Sequence, residues 1–130
     1  MAIATTSRVA LKKVASKIIK KRADELIEFA QDIGRNPEVG FQEFRTSRKF
    51  AESVEKAGLT VERGLAITGF KAVHEFSGDG PTVAVIAELD SLRVPGHELV
   101  DAETGAAHAC GHHTQSGQVL GVIAALTDPA

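Results

Sequence analysis

The nine residues from Ala106 to Thr114 constrain the fold and the chemistry of this 130-residue chain more than any other stretch. They contain the only cysteine, three of the five histidines and a glycine that allows a tight turn. A segment rich in turn residues precedes them, and apolar residues at helical spacing follow. The stretch therefore predicts a turn that presents polar side chains at the start of a helix, over about 114–126.

Cys110 and His112 are the candidate metal ligands in this turn, because they lie two positions apart across Gly111. Side chains at positions i and i+2 of a turn are able to face one centre, and a thiolate with an imidazole suits zinc or a similar divalent ion. Taken singly, a cysteine is more often a small buried hydrophobe and a histidine a surface residue. The combination favours a metal site over a cysteine-protease dyad, whose two groups usually converge from distant segments.

Two carboxylates, Glu88 and Asp90, end the apolar run over residues 82–87. Functional groups in α/β sheets are commonly presented where a buried strand meets a loop. An aspartate at that place is able to accept the second ring N–H of a metal-bound histidine and so fix its tautomer. We expect Asp90 in this supporting role, and a solvated strand end is the alternative.

The helical patterns indicate an α/β fold. Apolar spacing predicts one long amphipathic helix over about 7–34, with capping hydroxyls at Thr5, Thr6 and Ser7. A second helix is expected over about 45–57. Gly58 should end it in a Schellman-type stop, with the leucine that follows as the hydrophobic partner.

The strand predictions rest on the Ser-Gly-Asp-Gly-Pro run at 77–81, which is the strongest turn signal in the chain. We expect residues 70–76 and 82–87 to pair across it as an antiparallel hairpin. The 82–87 run is apolar on both faces, which is typical of a central strand. A short strand is expected over 60–63, and residues 91–109 should form a long loop.

Composition and charge exclude several classes of protein. No apolar run is long enough to span a membrane, and one cysteine cannot form an internal disulfide, which favours a reducing, cytoplasmic location. Residues 1–23 carry seven bases and no acid. An organelle transit peptide has this composition too, but the apolar stripe continues into an acidic stretch, which favours a solvated helix face. Without aromatic residues among the bases, nucleic-acid binding is not expected.

Three segments together resemble the dinuclear-metal amidohydrolases. This group includes hippurate, indole-acetyl-amino-acid and aminobenzoyl-glutamate hydrolases and carboxypeptidase-like aminoacylases. The segments span 36–47, 87–92 and 108–112, in the order and approximate spacing of the family, and the resemblance covers about residues 25–126. The His-Ala-Cys-Gly-His run is its most specific part.

The resemblance implies that Cys110 and His112 bind metal directly, as part of a site for two zinc or manganese ions. It places Asp90, Glu88 and His108 around these ligands. Glu88 departs from the family, whose members usually have aspartate there. Another departure is the glycine at position 34, where the family commonly has histidine. The implied fold is the N-terminal part of a zinc-exopeptidase-like catalytic domain with a mixed sheet, preceded by the long helix.

In the family, the catalytic glutamate, the remaining ligands and the lid or dimerisation domain all follow the point that matches Ala130. We therefore expect one partial catalytic domain over 1–130, with its core at 45–126, that contains no catalytic residue and is inactive alone. The complete enzyme would cleave N-acyl amino acids or similar peptide-like amides, without a nucleic-acid or membrane partner. A non-enzymatic metal-binding or interaction module is the alternative, and an uncovered sheet edge favours self-association as a homo-oligomer.

Overall fold

The computed structural model describes residues 7–128, which form helices and two small antiparallel sheets and so confirm a mixed helix and strand fold. The helices are α1 (Arg8–Lys21), α2 (Ala23–Arg35), α3 (Phe44–Lys56) and α4 (His112–Thr127). The strands are β1 (Val61–Leu65), β2 (Gly69–Ala72), β3 (Leu92–Arg93) and β4 (Ala106–Ala107). β1 pairs with β2, and β3 with β4. Among residues 7–128, no helix combines the length and the apolar character that a membrane span requires.

The helix predicted over 7–34 is two helices, because the chain bends at Arg22 (φ −104°, ψ 11°). The last turn of α1 is basic and the first turn of α2 is acidic, and both charges interact favourably with the adjacent helix dipoles. Arg22 also binds the carboxylate of Glu25 at 2.6 Å. The prediction of one helix was wrong because apolar spacing reports which face of a helix is buried and not where the backbone leaves helical geometry.

The start of α1 is capped by Ser7, whose side chain accepts a hydrogen bond from the N–H of Ala10 (3.2 Å). The other two predicted capping residues, Thr5 and Thr6, lie outside the described residues. Only Ile18 of the apolar stripe of α1 is buried. The first half of this helix is therefore not packed as the pattern predicted.

The core lies where α2, α3 and α4 meet. The Phe50 ring packs between two other aromatic rings, with centroids 5.6 Å from Phe29 and 5.1 Å from Phe70. The buried cluster consists of Leu26, Phe29, Ile33, Phe50, Val54 and Leu120. Each of these three helices therefore buries one apolar face, as amphipathic helices do.

The end of α3 confirms the predicted Schellman stop. The N–H of Gly58 donates to the carbonyl of Glu55 (2.9 Å), and the N–H of Leu59 donates to the carbonyl of Val54 (3.4 Å). These are the two hydrogen bonds of that motif. Leu59 packs against the core cluster, so the turn is held by apolar contact as well.

The predicted hairpin between residues 70–76 and 82–87 is wrong. β2 pairs instead with the preceding strand β1, and in the described structure residues 81–90 form no strand. Val83 is 78% exposed and Ile86 is 82% exposed. An apolar run becomes a strand only where a neighbour supplies a ladder of hydrogen bonds, and residues 7–128 place no such neighbour beside it.

The segment predicted as a long loop over 91–109 contains β3 and β4 near its two ends. They pair antiparallel, with Leu92 opposite Ala107 and Arg93 opposite Ala106. This pairing closes the loop and brings its two ends together. It therefore holds residues 90–91 near the turn that starts α4.

Helix α4 confirms the helix predicted over 114–126 and begins two residues earlier. It packs closely against α2 at Gly117, where a Cβ atom would lie 3.1 Å from the Cβ of Ala30. The absence of a side chain at this position lets the two helix backbones approach each other. This contact places the start of α4 near the end of α2.

We predict that Ile86→Ser changes the free energy of unfolding by less than about 0.5 kcal/mol, because the side chain is already exposed. Ile33→Ala, at a fully buried position, should lower it by roughly 2–5 kcal/mol. Urea titration measures both variants. Equal losses for the two would mean that residues 82–87 are packed in solution, contrary to the exposure seen here.

Asp32 on α2 links this helix to α3. Its carboxylate accepts hydrogen bonds from Arg45 (2.7 Å) and Lys49. Burial acts to raise the pKa of Asp32, but the hydrogen bonds and charges of Lys49 and Arg45 outweigh it and hold the pKa below its usual value. The ionised form of Asp32 is therefore stabilised by folding.

A lowered pKa in the folded state stabilises the protein above the unfolded pKa, and this stabilisation is lost as the pH falls through the folded pKa. We predict that Asp32→Asn lowers the free energy of unfolding at neutral pH by about 1 kcal/mol. Between roughly pH 5 and pH 2, the free energy of unfolding should fall less in Asp32→Asn than in wild type. Urea titration across this range measures it. Glu28→Gln, which removes an exposed ion pair with Arg35, is the control, and parallel pH profiles for wild type and Asp32→Asn would contradict the prediction.

Candidate functional site

The turn before α4 positions the candidate ligands. Gly111 has φ +86°, a left-handed conformation that glycine adopts without strain. Its N–H donates to the carbonyl of His108 (3.1 Å), and Thr114 Oγ1 donates to the Gly111 carbonyl (2.7 Å). His112 therefore begins α4, while Cys110 lies exposed as a free thiol.

Two carboxylates contact the ring of His112. Its Nδ1 lies 2.8 Å from Asp90 Oδ1 and 3.0 Å from the Asp90 carbonyl oxygen. Its Nε2 lies 3.1 Å from Glu88 Oε2. The imidazole is 13% exposed, whereas the Glu88 side chain is 60% exposed. The structure thus brings together three of the residues assigned to one site from the sequence, with the ring enclosed and one carboxylate facing solvent.

Asp90 and Glu88 face different nitrogens of the His112 ring. Because a carboxylate only accepts hydrogen bonds, Nε2 faces Glu88 favourably only when it carries a proton or a bound cation. By the same rule, the contact with Asp90 places a proton on Nδ1. Carboxylates orient metal-binding histidines in proteins by this arrangement. The geometry suits the supporting role expected for Asp90, and that role stays a prediction.

The separation of His112 Nε2 and Glu88 Oε2 also suits two ligands of one ion. Nitrogen and oxygen ligands lie about 2.0–2.2 Å from zinc, so at a tetrahedral angle two such atoms are about 3.3 Å apart. The observed 3.1 Å is close to this value, and it is equally the distance of a histidine–carboxylate ion pair. The donor chemistry fits a zinc-type ion. Within residues 7–128, however, no three His, Cys, Asp or Glu side chains are grouped so that they could hold a metal ion.

His108 and His113 form a neighbouring pair of rings, with centroids 5.1 Å apart. His108 is buried, and among residues 7–128 neither of its ring nitrogens has a hydrogen-bond partner, nor has Nδ1 of His113. Burial, with smaller effects of His113 and His112, lowers the pKa of His108 to about 4. Burial, followed by the effect of His112, also lowers the pKa of His113. Both rings are therefore neutral at pH 7.

His113 was not assigned a role of its own from the sequence. Its ring packs beside Gly34, where a Cβ atom would lie 3.0 Å from His113 Cδ2. The signal available in the sequence was Gly34 itself, which stands where the resembling family commonly has histidine. The structure shows that His113 occupies the space next to this glycine.

Replacing glycine by alanine inside a helix usually raises the free energy of unfolding by about 1 kcal/mol. We predict that Gly34→Ala does not give this gain, because the new Cβ would press on the His113 ring. In a His113→Ala background the same change should recover that gain. Urea titration of the four proteins measures the coupling as a double-mutant cycle. Additive effects would show that His113 does not pack against residue 34 in solution.

Comparison with known proteins places the site in context. No protein-family model matches the chain. Thermostable carboxypeptidase 2 of Saccharolobus solfataricus is 36% identical over 110 residues, which cover 79% of this chain and 27% of that protein. IAA-amino acid hydrolase ILR1-like 5 of Arabidopsis thaliana is 31% identical over 110 residues, which cover 81% of this chain and 25% of that protein. N-acetylcysteine deacetylase of Bacillus subtilis is 30% identical over 103 residues, which cover 74% of this chain and 26% of that protein.

Over this matched part, the chain belongs to the amidohydrolase/aminoacylase family. The resemblance inferred from the three motifs is thereby confirmed, and the relatives support a hydrolase function. The chain spans about a quarter of the length of these amidohydrolase-family relatives.

Proposed function

We propose that this chain is part of a metal-dependent amidohydrolase that cleaves the amide bond between an acyl group and an amino acid. The observation that carries the proposal is the His112 ring, held between Asp90 and Glu88 at the turn that also carries Cys110. In this proposal Cys110 and His112 bind a divalent ion, zinc or manganese, in a site for two ions. The single cysteine supports a reducing, cytoplasmic location as part of the same proposal.

Each residue contributes a distinct function to such a site. Asp90 holds the Nδ1 proton of His112, and Nε2, which faces Glu88, is the nitrogen that would bind the ion. Burial of the imidazole restricts its rotation, whereas the exposed Glu88 carboxylate and Cys110 thiol leave the site open to an amide substrate. When bound, a divalent ion of this type supplies Lewis acidity and a water of lowered pKa.

The hydrolytic step also needs a base positioned to take a proton from the attacking water. In the described structure Asp90 is engaged by His112 through both its side chain and its carbonyl. In residues 7–128, moreover, no three His, Cys, Asp or Glu side chains are grouped so that they could together hold a metal ion. We therefore propose that the base and the remaining ligands come from residues outside this chain, and that the chain alone does not hydrolyse amides.

We predict that the purified chain binds cobalt, used as a spectroscopic substitute for zinc, and shows a thiolate-to-cobalt absorption band. Cys110→Ser should abolish the band, and His112→Ala should weaken cobalt affinity at least about tenfold. Optical titration measures both effects, with His74→Ala, at an exposed histidine outside the site, as the matched control.

Two results would contradict the proposal. The metal assignment fails if Cys110→Ser and His112→Ala titrate like His74→Ala. The assignment of the base to residues outside the chain fails if the purified, zinc-loaded chain turns over N-acetyl amino acids at a rate that Cys110→Ser abolishes.

A further inference from the structure

Glu38 lies between α2 and α3, in a motif to which the proposed function assigns no role. Its two carboxylate oxygens accept hydrogen bonds from the backbone N–H groups of Arg45 (2.9 Å) and Thr46 (2.7 Å). Glu43, the residue at the capping position of α3, forms no side-chain capping bond. Glu38 therefore caps this helix from outside it, satisfying N–H groups that helix starts leave without partners. The side chain of Glu38 is therefore fixed to the start of α3.

The backbone of Glu38 extends this link towards the candidate site. Its carbonyl oxygen accepts hydrogen bonds from both the N–H and the Oγ of Ser91, each at 2.8 Å. The adjacent Val39 forms a parallel bridge with Ser91. Ser91 is 4% exposed and directly follows Asp90. The backbone and the side chain of Ser91 are thus both bound to the carbonyl of Glu38.

Asp90 contacts His112 with its backbone as well as its side chain, since Nδ1 lies near both the carbonyl oxygen and Oδ1. The orientation of the ring therefore depends on the backbone conformation at residues 90–91. Residues 81–90 form no strand in the described structure. Directly after Asp90, the backbone of Ser91 contacts residues 38–39.

We propose that Glu38 and Ser91 are positioning residues, which anchor the backbone of Asp90 to the start of α3 and so fix the ring of His112. This inference rests on the proposed function, because it assigns the anchor to the orientation of a metal ligand. The segment between α2 and α3 thereby holds the backbone next to the proposed metal ligand in place. Neither residue touches the reacting atoms, and both act through Asp90.

Ser91→Ala tests the anchor most directly, because it removes the hydroxyl and retains the backbone N–H bond to Glu38. Ser91→Thr retains a hydroxyl and serves as the conservative rescue. Ser53→Ala is the matched control, since Ser53 donates a local hydrogen bond to the Lys49 carbonyl (2.9 Å) within α3. Glu38→Gln is a second variant, in which one carboxylate acceptor becomes an amide donor and one helix N–H loses its partner.

The first measurement uses the metal-free chain and follows the Nδ1 proton of His112 by nitrogen-edited NMR. In wild type, Ser53→Ala and Ser91→Thr, this proton should exchange slowly with water because Asp90 holds it. In Ser91→Ala and Glu38→Gln it should exchange at least fivefold faster, with the amide spectrum of the helices retained. The second measurement is cobalt affinity, which Ser91→Ala should reduce about tenfold and Ser53→Ala by less than twofold.

The two measurements separate this inference from the proposed function. If wild type binds no cobalt, the proposed metal role fails, and the exchange rate of the ring proton still tests the anchor. If Ser91→Ala and Ser53→Ala show the same ring-proton exchange rate, the inference is overturned whatever the cobalt result. If Ser91→Thr exchanges as fast as Ser91→Ala, the hydroxyl is not the anchor and the inference is likewise overturned.

Discussion

The packing of α4 against α2 is the constraint on which the rest of the structure depends. The backbones approach closely at Gly117, and Leu120 from α4 joins Leu26 and Ile33 from α2 in the core. Burial of such side chains contributes roughly 1.5–3 kcal/mol each. Because the candidate ligands lie at the start of α4, the same packing determines where they stand relative to the rest of the chain.

Around the start of α4, three imidazole rings lie in different surroundings. His112 has a carboxylate near each ring nitrogen. His108 is buried and His113 is partly buried, and burial is the main cause of their lowered pKa values. Differences in burial and in neighbouring charges give identical side chains different chemical properties. Of the three, His112 is the ring whose orientation is set by an acceptor, which supports its assignment as the ligand.

Several parts of the fold could be predicted because their signals are local. The stop after α3 depends on hydrogen bonds that reach back only three and five residues from Gly58 and Leu59. The turn at Gly111 and the helix that follows are likewise encoded within a few positions. The run over 82–87 shows the limit of such signals. Its composition suits a strand, yet a strand also requires a partner from elsewhere in the chain.

The sequence by itself determined which donor groups are available, since Cys110, His112 and the two carboxylates at 88 and 90 were evident from residue type and spacing, and its motifs indicated the family. Only the tertiary structure decided how His112 meets the two carboxylates. Asp90 and His112 are 22 residues apart, and the carbonyl of Glu38 binds the hydroxyl of Ser91 across 53 residues. Apolar periodicity specifies which face of an element is buried. The packing of whole elements against each other decides which distant polar atoms come within hydrogen-bonding distance.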